Sequence, residues 1–199
     1  MLKRASDVVL ATLMLALALP ILVLVAIVIR LTSRGPVLFE HTRCGRGGAR
    51  FPCLKFRTMV VDAQDWLAQD PELRAKYKEN GFKLQIGQDP RVTRVGRLLR
   101  HSYVDELPQL INVIRGEMSL VGPRPIIEEE LEWYGDHKAE LLSVRPGVFG
   151  RWTGLGRERT DYPDRTLVEL GYIRDTAWFK DLSILLKHIP VLMVGQGED

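Results

Sequence analysis

"VDELPQLINVIRGEMSLVGPRP", residues 104–125, is the stretch that organises this chain. It sets two adjacent carboxylates, Asp105 and Glu106, ahead of Pro108 and a short apolar run. It ends in Gly122-Pro123-Arg124-Pro125, where two prolines restrict the backbone on either side of one arginine. Pro108 is comfortable only in the first turn of a helix, so a helix is predicted to begin within a residue or two of Asp105. Leu107, Leu110, Ile111 and Ile114 recur at helical spacing as its apolar face, and Gly116 is a natural stop. Asp105 and Glu106 are thereby expected at a helix N-terminus. An aspartate there commonly does no more than cap the helix. The same place can also receive a phosphate.

These alternatives differ in the surroundings they need. Two unit charges about 4 Å apart interact by about 4 kcal/mol at an effective dielectric of 20. A helix terminus returns only about 0.3–1 kcal/mol, or about 2 at best. A carboxylate that attacks a diphosphate therefore needs cations: a magnesium ion on Asp105 and Glu106, plus arginines. Arg100 and the clamped Arg124 are the nearest candidates. Upstream, "DPRVTRVGRLLRHS" (89–102) places arginines at 91, 94, 97 and 100, a spacing that puts them on one helical or 3₁₀ face. Such a row is either a solvated basic face or an anion site leading into the carboxylate pair.

The net charge of +3 and pI near 8.9 favour an anionic partner, whether phosphate, nucleic acid or a lipid surface. Hydrophobic and charged fractions are ordinary for a chain of 199 residues, enough for one domain with an appendage. Cys44 and Cys53 fit neither a disulfide framework nor a paired zinc spacing and read as reduced thiols.

Residues 8–29 carry no charge. As a helix they would reach roughly 33 Å, against a hydrocarbon core of roughly 30 Å. The run is too long for a cleaved signal peptide, and no small-residue cleavage site follows it. Pro20 lies mid-run, where it removes a backbone hydrogen bond and is expected to kink or break the helix. Both flanks are basic: Lys3 and Arg4 before, then Arg30, Arg34, Arg43 and Arg46 after. Basic flanks stay in the cytoplasm. A helix that enters the membrane, bends at Pro20 and returns satisfies both facts; a single span with a tolerated proline is the alternative. Residues 1–34 are therefore assigned as a re-entrant anchor and 35–199 as a cytoplasmic catalytic domain.

"GPVLFEHTRCGRGGARFPCLKFRTM" (35–59) reads as two extended segments around a glycine-rich turn. Residues 60–80 read as helix, interrupted near Asp70-Pro71. The expected class is α+β, mostly helical, with short strands and interfacial amphipathic helices.

With these motifs in place, the chain resembles the monotopic bacterial phosphoglycosyl transferases, the bacterial sugar transferase family. The resemblance rests on Lys3-Arg4 with Asp7, the proline-interrupted apolar helix, and Arg43, Gly45, Gly48 and Phe51 of the hairpin. It continues through Lys55-Phe56-Arg57-Thr58-Met59 and the run from Asp89 to Pro125. It implies that Asp105 attacks the β-phosphate of a UDP-sugar and releases UMP. The phosphosugar held on Asp105 then passes to polyprenyl (undecaprenyl) phosphate, the initiating step of exopolysaccharide, capsule or O-antigen synthesis. Glu106 would bind Mg²⁺ with Asp105, while Arg100, Arg124, Lys55, Arg57, Arg145 and Arg157 would hold phosphates or carboxylates. Pro20, Pro123, Pro125, Lys3 and Arg4 would have structural or membrane roles. The same resemblance implies the cytoplasmic face of a bacterial inner membrane, contact with phospholipid, no nucleic acid, and the minimal form of such an enzyme; a homodimer stays open.

Departures from the family pattern are Leu19 before Pro20, His41 where a glutamine is usual, and Phe149 and Thr153 in "RPGVFGRWTGLGRERTDYPDR" (145–165). If that loop touched the nucleotide or sugar, specificity would shift. "YIRDTAWFKDLSILLKHIPVLMVG" (172–195) resembles the hexose-1-phosphate branch, which favours UDP-galactose or UDP-glucose. Its Leu182, Leu185, Leu186 and Ile189 stripe, with Lys180 and Lys187, suits either an interfacial helix or a core helix. Two rivals remain from the residues alone. A membrane-tethered nucleic-acid or lipid-binding module explains the arginines but not the acidic pair. A membrane phosphatase using an aspartyl-phosphate would release inorganic phosphate instead of UMP.

Overall fold

The computed structural model describes residues 2–82, 84, 87–151, 164–175 and 177–194, with backbone only at 178 and 188–194. The chain opens with α1 (Leu2–Thr32), followed by a hairpin of β1 (Leu38–Cys44) and β2 (Arg50–Phe56). Then come α2 (Ala63–Gln69), α3 (Pro71–Glu79), α4 (Arg94–Ser102), α5 (Gln109–Arg115) and the short strand β3 (Ser119–Val121). α6 (Lys138–Leu141), β4 (Gly147–Phe149), α7 (Asp164–Arg174) and α8 (Trp178–Val194) complete the described α-helices and strands, with a 3₁₀ segment at Glu128–His137 before α6. The class is the expected one: mostly helical α+β with few, short strands.

β1 and β2 pair antiparallel from Leu38↔Phe56 to Cys44↔Arg50. Gly47 and Gly48 supply the left-handed turn between them, at φ 69° and 79°. The hairpin is tied to α5 by buried Asn112. Its Oδ1 accepts the Leu54 N–H at 3.0 Å and its Nδ2 donates to the Pro52 carbonyl at 2.7 Å. β3 and β4 pair in parallel, Ser119 opposite Gly147 and Val121 opposite Phe149. Side chains are excluded where these strands meet, because a Cβ on Gly147 would stand 2.0 Å from the Gly122 nitrogen.

The main core gathers Phe51 and Cys53 from the hairpin, Leu110 and Val113 from α5, Leu120 and Val121 from β3, and Tyr172 from α7. Phe149, one of the departures from the family pattern, is buried in this core and packs there. α5 also differs in phase from its predicted stripe. Leu110 and Val113 are buried beside Gln109 and Asn112, whereas Ile111 and Ile114 are only partly covered. The hairpin's backbone demands a polar partner on that face, and Asn112 supplies it.

α1 remains helical through Pro20 instead of breaking there. A proline inside a helix costs about 3 kcal/mol or more, but packing on both sides of it maintains the helix. Ala11, Met14 and Leu15 join the main core, while Leu22, Val25, Ala26 and Ile29 surround Phe56 and Leu99. Polar contacts fix each end. Buried Asp7 accepts from the Ser119 hydroxyl at 2.7 Å and the Leu120 N–H at 3.3 Å. Lys3 donates to the Val121 carbonyl and pairs with Asp181. At the other end, Arg57 donates to the Ser33 hydroxyl at 2.7 Å and its carbonyl at 3.1 Å. Both ends of one 31-residue helix thus dock on the same body. Its outward face leaves Leu13, Leu17, Ile21 and Leu24 more than half exposed.

The start of α4 sits hard against the segment after β2. Thr93 caps it, accepting the Gly96 N–H at 2.9 Å, and the Thr93 N–H donates to the Thr58 carbonyl at 2.9 Å. A Cβ on Gly96 would lie 1.9 Å from that carbonyl oxygen. Gly96→Ala must therefore displace α4, and overpacking of this kind costs about 1–3 kcal/mol. A thermal melt of the variant is expected several degrees below wild type; an unchanged melt would mean α4 has room to slide.

Candidate active site

Strand alternation builds one wall of a cavity of about 260 Å³. Phe39, His41 and Arg43 from β1, Cys53 and Lys55 from β2, and Arg57 just beyond it all line it. Tyr103, at the end of α4, adopts φ 57°, a left-handed conformation on the order of 1 kcal/mol unfavourable for a bulky residue. That turn drops the chain into a single 3₁₀ turn, Val104–Glu106, which brings Asp105 and Glu106 to the cavity. Asp105 is 7% exposed. Neither this turn nor α5 is capped by a side-chain hydrogen bond. The turn lies ahead of α5, whose cap position is Pro108.

Cations line the same cavity. Lys55 Nζ donates to Glu106 Oε1 at 2.8 Å. Arg100 lines the cavity with its Nε donating to the Thr58 hydroxyl at 2.9 Å. Arg124 enters from the proline clamp, whose backbone is held at three points. Gly122 N–H donates to the Phe149 carbonyl, Gly147 N–H donates to the Pro123 carbonyl at 2.8 Å, and Arg124 N–H donates to Glu169 Oε1 at 3.2 Å. Buried Pro125 lines the cavity beside it, and Pro123 is buried behind.

Deeper charges brace this set. Arg43 pairs with buried Glu130 at 3.2 Å. Glu169 is almost wholly buried with Arg165 at 4.0 Å, and burial pushes its carboxyl up to about 7 against the pull of Arg165 and Arg124. Burial and the neighbouring Arg43, Lys55 and Arg124 lower the His41 imidazole to about 4, so it is neutral at physiological pH. Burial raises the Cys53 thiol, which stays protonated. The far wall is aromatic and apolar, with Phe82 edge-on to Tyr77 at 5.8 Å, plus Leu84 and Val61.

Of the residues singled out in the sequence, Asp105, Glu106, Lys55, Arg57, Arg100 and Arg124 meet in this one cavity. Arg145 does not. Its Nε donates to the Gly116 carbonyl at 2.7 Å, while Arg4 donates to the Val113 and Ile114 carbonyls at 2.6 and 3.0 Å. Both arginines neutralise the C-terminal end of α5. The arginine row also divides: Arg91 is buried in a two-pronged pair with Asp89, and Arg94 and Arg97 are exposed. Arg157, Thr153 and the Trp152–Gly156 motif lie outside the described residues. In α8, Phe179, Leu182 and Leu186 are exposed while Ile184 and Leu185 pack against the core; the side chain of Ile189 is outside the described residues.

Sequence reasoning missed Glu130 and Glu169, acidic residues on uninformative segments whose partners lie far away in the chain. It passed over Tyr77 and Phe82, which carry no local motif. Among the described residues no group of three or more His, Cys, Asp or Glu side chains could hold a metal alone. The adjacent pair of carboxylates still fits magnesium, which retains waters and substrate phosphates among its ligands. A buried carboxylate that lines the same cavity as Lys55, Arg100 and Arg124 has the surroundings that attack on a polyphosphate needs.

The family model described as bacterial sugar transferase matches residues 1–195. An undecaprenyl-phosphate galactose phosphotransferase of Salmonella typhimurium is 41% identical over 200 residues, covering 98% of this chain and 41% of that protein. The exopolysaccharide production protein ExoY of Rhizobium meliloti is 39% identical over 198 residues, covering 99% of this chain and 88% of the relative. A UDP-glucose:undecaprenyl-phosphate glucose-1-phosphate transferase of Caulobacter vibrioides is 41% identical over 201 residues, covering 96% and 69%. The chain thus spans about two-fifths of the length of several curated relatives and most of the length of others.

Proposed function

Because the chain belongs to the bacterial sugar transferase family, we propose that it transfers a hexose-1-phosphate from a UDP-sugar to undecaprenyl phosphate, releasing UMP. The observation that carries this reading is Asp105, buried at a cavity where Lys55 holds Glu106 and where Arg100 and Arg124 converge. A carboxylate oxygen of Asp105 forms a bond to the β-phosphorus as the bond from that phosphorus to the UMP oxygen breaks. The electron pair leaves with UMP. An oxygen of the lipid phosphate then attacks the same phosphorus and frees Asp105. Arg124 and Arg100 bind the phosphoryl oxygens, and Lys55 orients Glu106. Asp105 and Glu106 would hold a magnesium ion together with the donor's phosphates, where it would neutralise charge on the departing nucleotide.

Incubating the full chain with UDP-galactose or UDP-glucose, magnesium and undecaprenyl phosphate should yield UMP and a lipid-linked phosphosugar. Inorganic phosphate in place of UMP would make the protein a phosphatase, and no turnover with any donor would leave a binding module.

The same reading places the protein on the cytoplasmic face of the bacterial inner membrane, where lipid phosphate and soluble nucleotide can meet. Support comes from α1, the one described helix long and apolar enough to cross a membrane. Lys3 and Asp7 near its start contact the same body as Ile29 and Ser33 at its end. A perpendicular span would put those ends on opposite sides. Leu2 is 72% exposed, so a cysteine there is accessible to reagent. With Cys44 and Cys53 replaced, Leu2→Cys should resist a membrane-impermeant thiol reagent in intact cells and react after permeabilisation. Labelling of intact cells would establish a span.

A further inference from the structure

His41 stands between Phe39 and Arg43 on the cavity face of β1, directly opposite Cys53. Its ring lies 5.8 Å from that of Phe39, tilted 38°. The imidazole makes no hydrogen bond to any described residue. Its neighbours in the same wall, Arg43 and Lys55, are already engaged by Glu130 and Glu106. A neutral imidazole has one N–H donor and one nitrogen acceptor, whereas arginine and lysine can only donate. A hydroxyl also donates and accepts, so its direction can be matched here and not by the surrounding cations. Among the other neutral polar side chains at the cavity, Thr58 is occupied by Arg100 and Gln109 is 1% exposed, while Gln64 and Tyr77 belong to α2 and α3 and not to the strand wall that carries Lys55. Distance fits as well. Two residues along a strand advance roughly 6.6 Å, so His41 stands one side-chain row from Lys55, which marks the reacting carboxylates. A hexose joined to a phosphorus above Asp105 bridges one such row.

We propose that His41 contacts a hydroxyl of the transferred hexose and sets the preference among sugar epimers. This rests on the transferase reading above. Because burial and nearby cations keep the ring neutral, the contact persists across the ordinary pH range. A polar group built to pair with a substrate hydroxyl discriminates through the partner left unpaired when the hydroxyl is misplaced.

The test measures UMP release from UDP-galactose, UDP-glucose and UDP-N-acetylglucosamine by wild type, His41→Gln, His41→Ala and His41→Phe. The kcat/KM ratio between the galactose and glucose epimers should collapse by tenfold or more in His41→Phe and His41→Ala, with His41→Gln intermediate. A uniform fall across all donors, with the ratio intact, would overturn the proposal and make His41 a packing residue; so would no change. A second arm is independent of turnover. In the detergent-solubilised full chain, the ¹⁵N signals of the His41 ring, assigned by their loss in His41→Gln, should shift with hexose-1-phosphate and not with inorganic phosphate. Equal or absent shifts would overturn the proposal. If no donor is turned over, the transferase reading fails, and the ring signals still decide whether His41 meets a sugar.

Discussion

Asp105→Asn is expected to abolish UMP release from a sugar nucleotide, with or without lipid, by at least about a thousandfold. Covalent catalysis divides the reaction into two halves. Wild-type protein with magnesium and UDP-sugar alone should release up to about one equivalent of UMP, and intact-protein mass spectrometry should find a phosphosugar adduct mapping to Asp105. An amide cannot attack phosphorus usefully, so the variant should show neither. Asp105→Glu should fail for a different reason. The 3₁₀ turn fixes the backbone, and an added methylene displaces the attacking oxygen from the in-line position. Glu106→Gln should slow both halves while leaving the adduct detectable, because Lys55 loses its charged partner but the nucleophile survives. The competing scheme is direct attack by the lipid phosphate with Asp105 only a ligand. It requires both substrates together, so a wild-type protein that carries no adduct and releases no UMP without lipid would eliminate the nucleophile.

The hairpin, the division between α2 and α3 at Pro71 and the stop at Gly116 follow from local chemistry, and each was legible in the sequence. So was the charged set that meets at the cavity, because most of its members cluster in the chain: Lys55 on β2 with Arg57 just after it, and Arg100 to Glu106 on one helix and turn. What stayed hidden depended on contacts between distant segments. Arg145 looks like a phosphate ligand beside Pro146-Gly147, but the free carbonyls at the end of α5 hold it. Apolar periodicity could not report that α5 buries Gln109 and Asn112, since the count recognises only apolar residues. Pro20 carried a real local cost, and packing along both halves of α1 outweighed it. Asp105 and Glu106 were expected at the N-terminus of the helix that Pro108 opens; the left-handed Tyr103, which no composition rule favours, places them in a separate turn ahead of it.

Arg124→Lys is expected to lower activity by roughly 10- to 100-fold while the protein stays folded. A lysine preserves the charge but loses the planar fork that grips two oxygens at once. One charge-assisted hydrogen bond contributes about 1.5–3 kcal/mol, and each 1.36 kcal/mol is a factor of about ten in rate. Stability should hardly move, because what fixes this segment is backbone. Pro123 offers its carbonyl to Gly147, and the Arg124 N–H itself is taken by Glu169. None of those contacts involves the guanidinium. The discriminating measurement pairs single-turnover UMP release with a thermal melt of the same sample. An unchanged melt with a large rate loss assigns the effect to the geometry of the grip. Near-full activity would reduce Arg124 to a general positive charge, and the two flanking prolines would then need another explanation. Loss of both rate and stability would mean that the side chain also holds the clamp, and the rigidity would have to be credited to the arginine itself.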